Sequence, residues 1–156
     1  DYWFDNNFRR RFFKNLINLI PISRKPNPES LDLDDTMTLS KAFMDLGNNI
    51  IIFPEGSRGE VGKIQRFRKG AVKFSMGLDV PILPAAIMGA EKAWPKGEKF
   101  IKPFPITVKV LPKIDPPKTE ELSKTAYNKA LSKITKELEI KISEALKELE
   151  ETKSPD

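Results

Sequence analysis

The chain has 156 residues, of which 39% are hydrophobic and 31% are charged, and it carries 10 phenylalanines and 2 tryptophans that can fill a core. This composition excludes wholesale disorder. It contains no cysteine and no histidine, which excludes a disulfide scaffold, a cysteine nucleophile and every site that needs an imidazole within these residues.

The net charge of +5 is unevenly distributed along the chain. Residues 58–73 hold six basic residues and one acidic residue, Glu60, and a second basic cluster lies in residues 9–14. Local positive charge favours an anionic partner such as phosphate, nucleic acid or acidic lipid, and the ordinary alternative is a solvated basic face. No nucleic-acid-binding signature accompanies the charge, which argues against nucleic acid as the partner.

The first predicted element is an amphipathic helix over residues 3–19. Its aromatic and aliphatic residues recur largely at steps of three and four, and the basic cluster lies between them. The helix is expected either to cover a sheet or to lie on an anionic membrane surface. No apolar stretch approaches the roughly 20 residues that span a bilayer. We therefore expect a chain that is soluble or peripheral, and the membrane-lying helix favours peripheral association with the cytoplasmic face of a membrane.

Two short strands flank the next predicted helix. Residues 19–22 form the first strand, and residues 34–46 form a helix that stops at Gly47. Residues 50–53 are continuously apolar, which is typical of a strand buried on both faces of a parallel sheet.

Four further elements are predicted towards the C-terminus. A helix over residues 70–76 ends at Gly77, and a strand over residues 80–87 contains two prolines, which predict an edge strand or a strand end. Residues 106–111 alternate as a strand. Residues 120–150 form one long helix with an apolar stripe. The long helix is expected to pack across its own domain, and a coiled-coil or partner-binding role is the alternative.

The alternation of strands and helices predicts an α/β fold: a mostly parallel central sheet flanked by helices, with a long C-terminal helix. We assign residues 1–114 to the α/β domain and residues 115–156 to a C-terminal helical extension. Ligands of such sheets bind beyond the carboxyl ends of the strands. The sequence therefore directs attention to the segment that follows residue 53.

That segment carries the most specific motif in the chain, Phe53-Pro54-Glu55-Gly56-Ser57-Arg58. It offers a rigid turn, a carboxylate, a glycine that lets the backbone approach a ligand, a hydroxyl and a guanidinium. The planar guanidinium suits phosphate. Cations recur at the start of the following helix, where free N–H groups also favour an anion, in Phe67-Arg68-Lys69-Gly70-Ala71.

These stretches resemble conserved blocks of the glycerolipid acyltransferases, namely the 1-acyl-glycerol-3-phosphate (lysophosphatidate) acyltransferases and their lysophospholipid acyltransferase relatives. The two motifs above and residues 80–87 are similar to the family's third and fourth blocks. Residues 19–24, a predicted strand that ends in Arg24, are similar to its second block. The four blocks occur in the family's order.

The resemblance implies transfer of a fatty acyl group from a coenzyme A or acyl-carrier-protein thioester to a hydroxyl of lysophosphatidate or another lysophospholipid, without any other cofactor and without a metal. It implies that Arg24 and Arg58 hold the phosphate and that Glu55 and Gly56 shape the acceptor site. A further contact of Lys69 with the phosphate is our own inference from charge and position. The candidate substrate-binding residues are Arg24, Glu55, Gly56, Ser57, Arg58 and Lys69.

The chain departs from the family at the first block, His-x-x-x-x-Asp, in which the histidine is the general base and the aspartate orients it. Because the chain contains no histidine, we expect this block upstream of Asp1 and expect the chain to be inactive alone. The alternative function is a non-catalytic lipid- or phosphate-binding module at a membrane surface. The alternative for Arg58 is a surface ion pair with Glu55 or Glu60, and for Glu55 it is a helix or turn cap.

Overall fold

The structure is a computed structural model that describes residues 33–57, 63–95, 97–98, 100–120 and 122–153. The chain divides into two compact units, Asp1–Ile51 and Ile52–Asp156. The predicted helix over residues 3–19 and the predicted strand over residues 19–22 lie outside the described residues. The domain boundary that we expect after residue 114 stays a prediction.

The first unit contains helix α1, Leu33–Asp45, close to the predicted residues 34–46. The helix ends because Gly47 adopts a left-handed conformation with φ of +82°. Its N–H donates to the carbonyl of Met44 at 2.8 Å, and the N–H of Asn48 donates to the carbonyl of Phe43 at 3.2 Å. This pair of bonds is a Schellman motif, so the predicted stop at Gly47 is confirmed.

The predicted strand over residues 50–53 is wrong. These residues are irregular, and the side chains of Ile51 and Phe53 are 82% and 70% exposed. Four consecutive apolar residues favour burial, but a strand also needs hydrogen-bonding partners on a neighbouring strand. Among the described residues no strand pairs with this segment.

The sheet of the second unit has two described strands, β1 (Ala85–Met88) and β2 (Thr107–Val110), paired antiparallel with Ala85 opposite Val110. The mostly parallel central sheet is therefore not confirmed. The connection between the strands contains only the single-turn helix α3, Ala90–Ala93, whereas a crossover between parallel strands usually runs through a full α-helix. Strand β2 therefore runs antiparallel alongside β1.

The predicted strand over residues 80–87 is shorter than expected, since its regular part begins at Ala85. Ile82 forms one isolated antiparallel bridge with Ile114, through N–H to carbonyl distances of 2.9 and 2.8 Å. Pro81 and Pro84 have no N–H to donate to a ladder, which explains the interruption. The predicted strand over residues 106–111 is confirmed at Thr107–Val110.

Two helices complete the second unit: α2, Gly70–Leu78, and α4, Lys124–Lys153. Helix α2 continues past Gly77, the predicted stop, to Leu78, and the C-cap residue Asp79 adopts the left-handed conformation instead. Helix α4 packs on both β1 and α2. The buried core that joins these elements comprises Phe67, Val72, Met76, Ile114, Leu131, Ile134 and Leu138.

No described helix combines the length and the apolar composition that would carry it through a bilayer. The apolar stripe of α4 is instead used inside the second unit, since Leu131 and Leu138 are 1% and 4% exposed. The long helix therefore packs against its own unit, as the sequence predicts.

Candidate functional site

The motif that begins at Phe53 forms a tight turn. The N–H of Gly56 donates to the carbonyl of Phe53 at 3.0 Å, and Pro54 occupies the second position of this turn, where its fixed φ is favourable. Gly56 has a φ of +70°, a left-handed conformation that costs glycine nothing because it has no Cβ. The proline and the glycine of the motif are thus both explained by the path of the backbone.

The turn is tied to residues 65–68 by three hydrogen bonds. The backbone N–H of Gln65 donates to Oε2 of Glu55 at 2.9 Å, and the hydroxyl of Ser57 donates to Oε1 of Gln65 at 3.2 Å. The N–H of Arg68 donates to the carbonyl of Pro54 at 2.8 Å. The two motifs that are separate in the sequence are therefore adjacent in the structure.

These bonds define the contacts of the Glu55 and Ser57 side chains. The half-buried carboxylate of Glu55 caps a backbone donor, which is the arrangement considered above as the alternative to substrate binding. The Ser57 hydroxyl donates its hydrogen bond to the side-chain oxygen of Gln65. Gln65 was not among the residues predicted for the site, because nothing in the sequence marks it as the partner of Glu55 and Ser57.

The basic segment, which we define as residues 66–69, alternates between exposed and buried side chains. Phe67 is 6% exposed and lies in the core, whereas Arg66, Arg68 and Lys69 are exposed. The buried phenylalanine anchors this stretch in the core, while both neighbouring guanidinium groups lie at the surface. The core thereby presents a cationic surface next to the turn.

Lys69 has a hydrogen-bond partner on helix α4. Its Nζ donates to Oγ of Ser132 on α4 at 2.8 Å. The lysine is also the N-cap residue of α2, and its side chain makes no capping hydrogen bond there. An ammonium has three N–H donors, so the bond to Ser132 leaves two others. The predicted phosphate contact of Lys69 stays a prediction.

Glu139 of α4 is a member of the site that sequence reasoning missed. Its Oε2 accepts the backbone N–H of Phe67 at 3.1 Å, and its Oε1 lies 2.6 Å from Nζ of Lys136. The hydrogen bond from Lys136, followed by that from Phe67, lowers the pKa of the Glu139 carboxyl below the usual glutamate range, against the opposing effect of burial. The charge of Arg66 acts in the same direction.

The structure thus joins Glu55 and Ser57 to Gln65, and Lys69 bonds to α4 through Ser132. Arg24 and Arg58 lie outside the described residues. Nowhere in the described ranges do three or more carboxylates gather as they would around a metal ion. The exposed groups of the basic segment are cations, which can bind and orient an anion.

Comparison with known proteins connects this arrangement to a family. The sequence profile of the Acyltransferase family matches residues 3–88. Over 67 residues the chain is 42% identical to a 1-acyl-sn-glycerol-3-phosphate acyltransferase from Limnanthes douglasii, covering 43% of this chain and 24% of that protein. Over 104 residues it is 31% identical to a protein of the same name from Cocos nucifera, covering 67% of this chain and 32% of that protein.

A solved structure is also similar. The crystal structure of the 1-acyl-sn-glycerophosphate (LPA) acyltransferase PlsC from Thermotoga maritima matches with a TM-score of 0.49 and 25% sequence identity, covering 68% of this chain and 45% of that chain. The match to the two curated relatives spans about a quarter to a third of their length. Because the family profile covers more than half of the residues, the chain belongs to the Acyltransferase family.

Proposed function

We propose that this chain is the acceptor-binding part of an enzyme that transfers a fatty acyl group to lysophosphatidate or another lysophospholipid. The acyl donor is a thioester of coenzyme A or of acyl-carrier protein, and no other cofactor is required. Family membership supports the reaction class, and the names of the relatives supply the acceptor, 1-acyl-sn-glycerol 3-phosphate. The reaction belongs to phospholipid biosynthesis or remodelling.

The observation that carries the proposal is the contact between the turn and the basic segment. The hydrogen bond from the N–H of Arg68 to the carbonyl of Pro54 brings a cationic stretch alongside a turn whose next residue in the sequence is Arg58. Guanidinium groups bind phosphate through paired N–H donors. Several cations close to one turn suit a phosphate monoester better than a single ion pair would.

Each candidate residue has a role in this proposal. Arg24 and Arg58 bind the acceptor phosphate, and Lys69 adds a further cation. Glu55 and Ser57 hold the turn against Gln65, so they shape the acceptor site through the backbone. Gly56 lets that backbone turn and approach the ligand.

Proton transfer requires a group from elsewhere. The attacking hydroxyl must lose a proton to a general base, and the chain has no histidine. We therefore propose that a His-x-x-x-x-Asp block outside these residues supplies the base, and that the chain alone binds the acceptor without acylating it. The acceptor lies in a membrane, so residues 3–19 are proposed to dock at the cytoplasmic face through aromatic side chains and arginines.

The test is acyl transfer by the full-length gene product from acyl-CoA and from acyl-carrier-protein thioesters. Arg58→Ala is expected to raise the KM for lysophosphatidate by about 10-fold or more, because hydrogen bonds to charged groups contribute about 1.5–3 kcal/mol. Lys118→Ala removes an exposed cation that has no role in the proposal and serves as the control. An Arg58→Ala enzyme with wild-type KM contradicts the phosphate role.

A non-catalytic lipid- or phosphate-binding module is the second candidate, and the absence of histidine favours it. Sedimentation with vesicles that contain phosphatidic acid, and with vesicles of phosphatidylcholine alone, measures binding to anionic lipid. Binding to the anionic vesicles without acyl transfer, even by the full-length gene product, favours this second function over the enzyme. Acyl transfer by the full-length product removes it.

A further inference from the structure

Helix α4 contacts the basic segment at two places. Ser132 accepts the ammonium of Lys69, and Glu139 accepts the backbone N–H of Phe67. The two helical residues are seven positions apart, which is two turns and about 10.5 Å along one face of the helix. One face of α4 therefore bonds to both ends of the stretch from Phe67 to Lys69.

Both oxygens of the Glu139 carboxylate have a partner in this arrangement. Oε2 accepts the N–H of Phe67 at 3.1 Å and Oε1 pairs with Lys136 at 2.6 Å. The side chain of Glu139 is 21% exposed, against 66% for that of Lys136. A carboxylate that accepts a backbone N–H makes a charge-assisted hydrogen bond, which is stronger and more directional than a neutral one. The backbone of the basic segment is thus fixed at Phe67.

The side chain of the same residue is fixed as well. The Phe67 ring lies in the core with Leu131, Ile134 and Leu138 of α4. Holding the ring and the N–H of one residue from a single helix sets the orientation of its peptide planes. The directions in which Arg66 and Arg68 leave the backbone follow from that orientation.

The charge of Glu139 is balanced where it stands. An unpaired carboxylate beside the basic segment would repel a phosphate, and the Lys136 ammonium compensates for it at 2.6 Å. Ser132 is similarly directed, since its hydroxyl donates to the carbonyl of Asn128 at 2.9 Å and so offers a lone pair to Lys69. The helix thereby orders the cations without cancelling them.

We propose that Glu139 is a positioning residue for acceptor binding: by accepting the Phe67 N–H, it presents Arg66 and Arg68 in the orientation that recognises a phosphate monoester. The inference rests on the proposed function of the site. Its physical basis is preorganisation, because a segment that is already ordered loses less conformational entropy when it binds a ligand.

The experiment measures binding of a short-chain, monomeric lysophosphatidate to the 156-residue chain, with the uncharged monoacylglycerol as the reference ligand. Glu139→Asp retains the charge but withdraws the carboxylate by one methylene, and Glu139→Gln retains the length and an acceptor oxygen without the charge. We expect Glu139→Asp to weaken lysophosphatidate binding by about 3- to 10-fold and Glu139→Gln to remain within about twofold of wild type. Amide hydrogen exchange of Phe67 is expected to accelerate more in Glu139→Asp than in Glu139→Gln.

A role of charge alone predicts the reverse order, in which Glu139→Gln is affected and Glu139→Asp is not, and this result overturns the inference. Equal affinities of both variants and wild type overturn it too. Glu137→Gln is the matched control, since Glu137 lies on the same helix and pairs with Lys141 at 2.8 Å. If wild type itself fails to bind lysophosphatidate in preference to monoacylglycerol, the proposed function fails and the inference falls with it.

Discussion

The turn at residues 53–57 and helix α4 both hold the segment that follows the turn, but they do so over very different distances along the chain. The turn bonds to Gln65 across 8 and 10 residues. Helix α4 bonds to Lys69 and Phe67 across 63 and 72 residues. Closing a short loop costs less entropy than closing a long one. The turn is therefore a local structure, whereas the contacts of α4 depend on the complete second unit.

This difference separates two properties of the site. The chemistry that can meet an anion is concentrated in residues 53–58 and 66–69, where neighbours in sequence are neighbours in space. The orientation of that chemistry depends on a core residue, Phe67, and on a helix that carries no recognisable motif. Changes in the core are thus expected to reach the site through α4, while changes in the turn remain local.

The largest expected effect comes from removing the centre of the α4 contact. Leu131 is 1% exposed, so Leu131→Ala leaves a cavity and is expected to lower the free energy of unfolding by about 2–5 kcal/mol. Ile140→Ala on the same helix is the control, because Ile140 is 45% exposed and should cost far less. Chemical denaturation measures both. Equal losses would mean that α4 is not packed as described.

The strand on which α4 packs provides the next test. β1 is followed by Gly89, which has a φ of +93° and where an added Cβ would lie 2.2 Å from the carbonyl oxygen of Pro105. Gly89→Ala is expected to cost about 2–4 kcal/mol of stability from backbone strain and this clash. Gly97→Ala is matched in φ, at +96°, but meets nothing within 4 Å, and it should cost about 1 kcal/mol. Similar losses in the two variants would contradict the close approach.

Amide hydrogen exchange at Gln65 and Phe67, measured in one variant of the turn and one of α4, distinguishes the contribution of the turn from that of the helix. Glu55→Ala removes the acceptor of the Gln65 N–H and is expected to cost about 1–2 kcal/mol. It should accelerate exchange at Gln65 and leave Phe67 protected, because Phe67 is held by α4. Glu139→Ala should do the opposite. If either variant exposes both amides equally, the turn and the helix form one cooperative unit and the comparison fails.

The smallest expected effect is a pH dependence. Folding lowers the pKa of Glu139 through Lys136 and the Phe67 N–H, so folding favours the ionised form. Its contribution to stability is present above the ordinary glutamate pKa and disappears as the pH falls through the lowered one. The stability difference between wild type and Glu139→Gln should therefore shrink from about pH 6 to about pH 2. Parallel profiles would exclude this linkage.

Much of the local structure could be predicted. The ends of α1, the location of β2, the apolar stripe of α4 and the turn around Gly56 follow from periodicity, glycine conformation and proline. The strand over residues 50–53 could not be predicted correctly, because an apolar run indicates burial but does not supply the pairing partner that a strand requires. The same reason applies to the parallel sheet.

The sequence by itself determined which groups the candidate site contains: a motif of proline, carboxylate, glycine, hydroxyl and guanidinium, and a run of cations close behind it. Only the tertiary structure decided that Gln65 and Arg68 bond to the turn, and that Glu139 and Ser132 of α4 bond to the N–H of Phe67 and the ammonium of Lys69. The physical reason is that residue chemistry and short-range backbone preferences are written locally. The partner of a particular N–H, 72 residues away, is set by how the core packs.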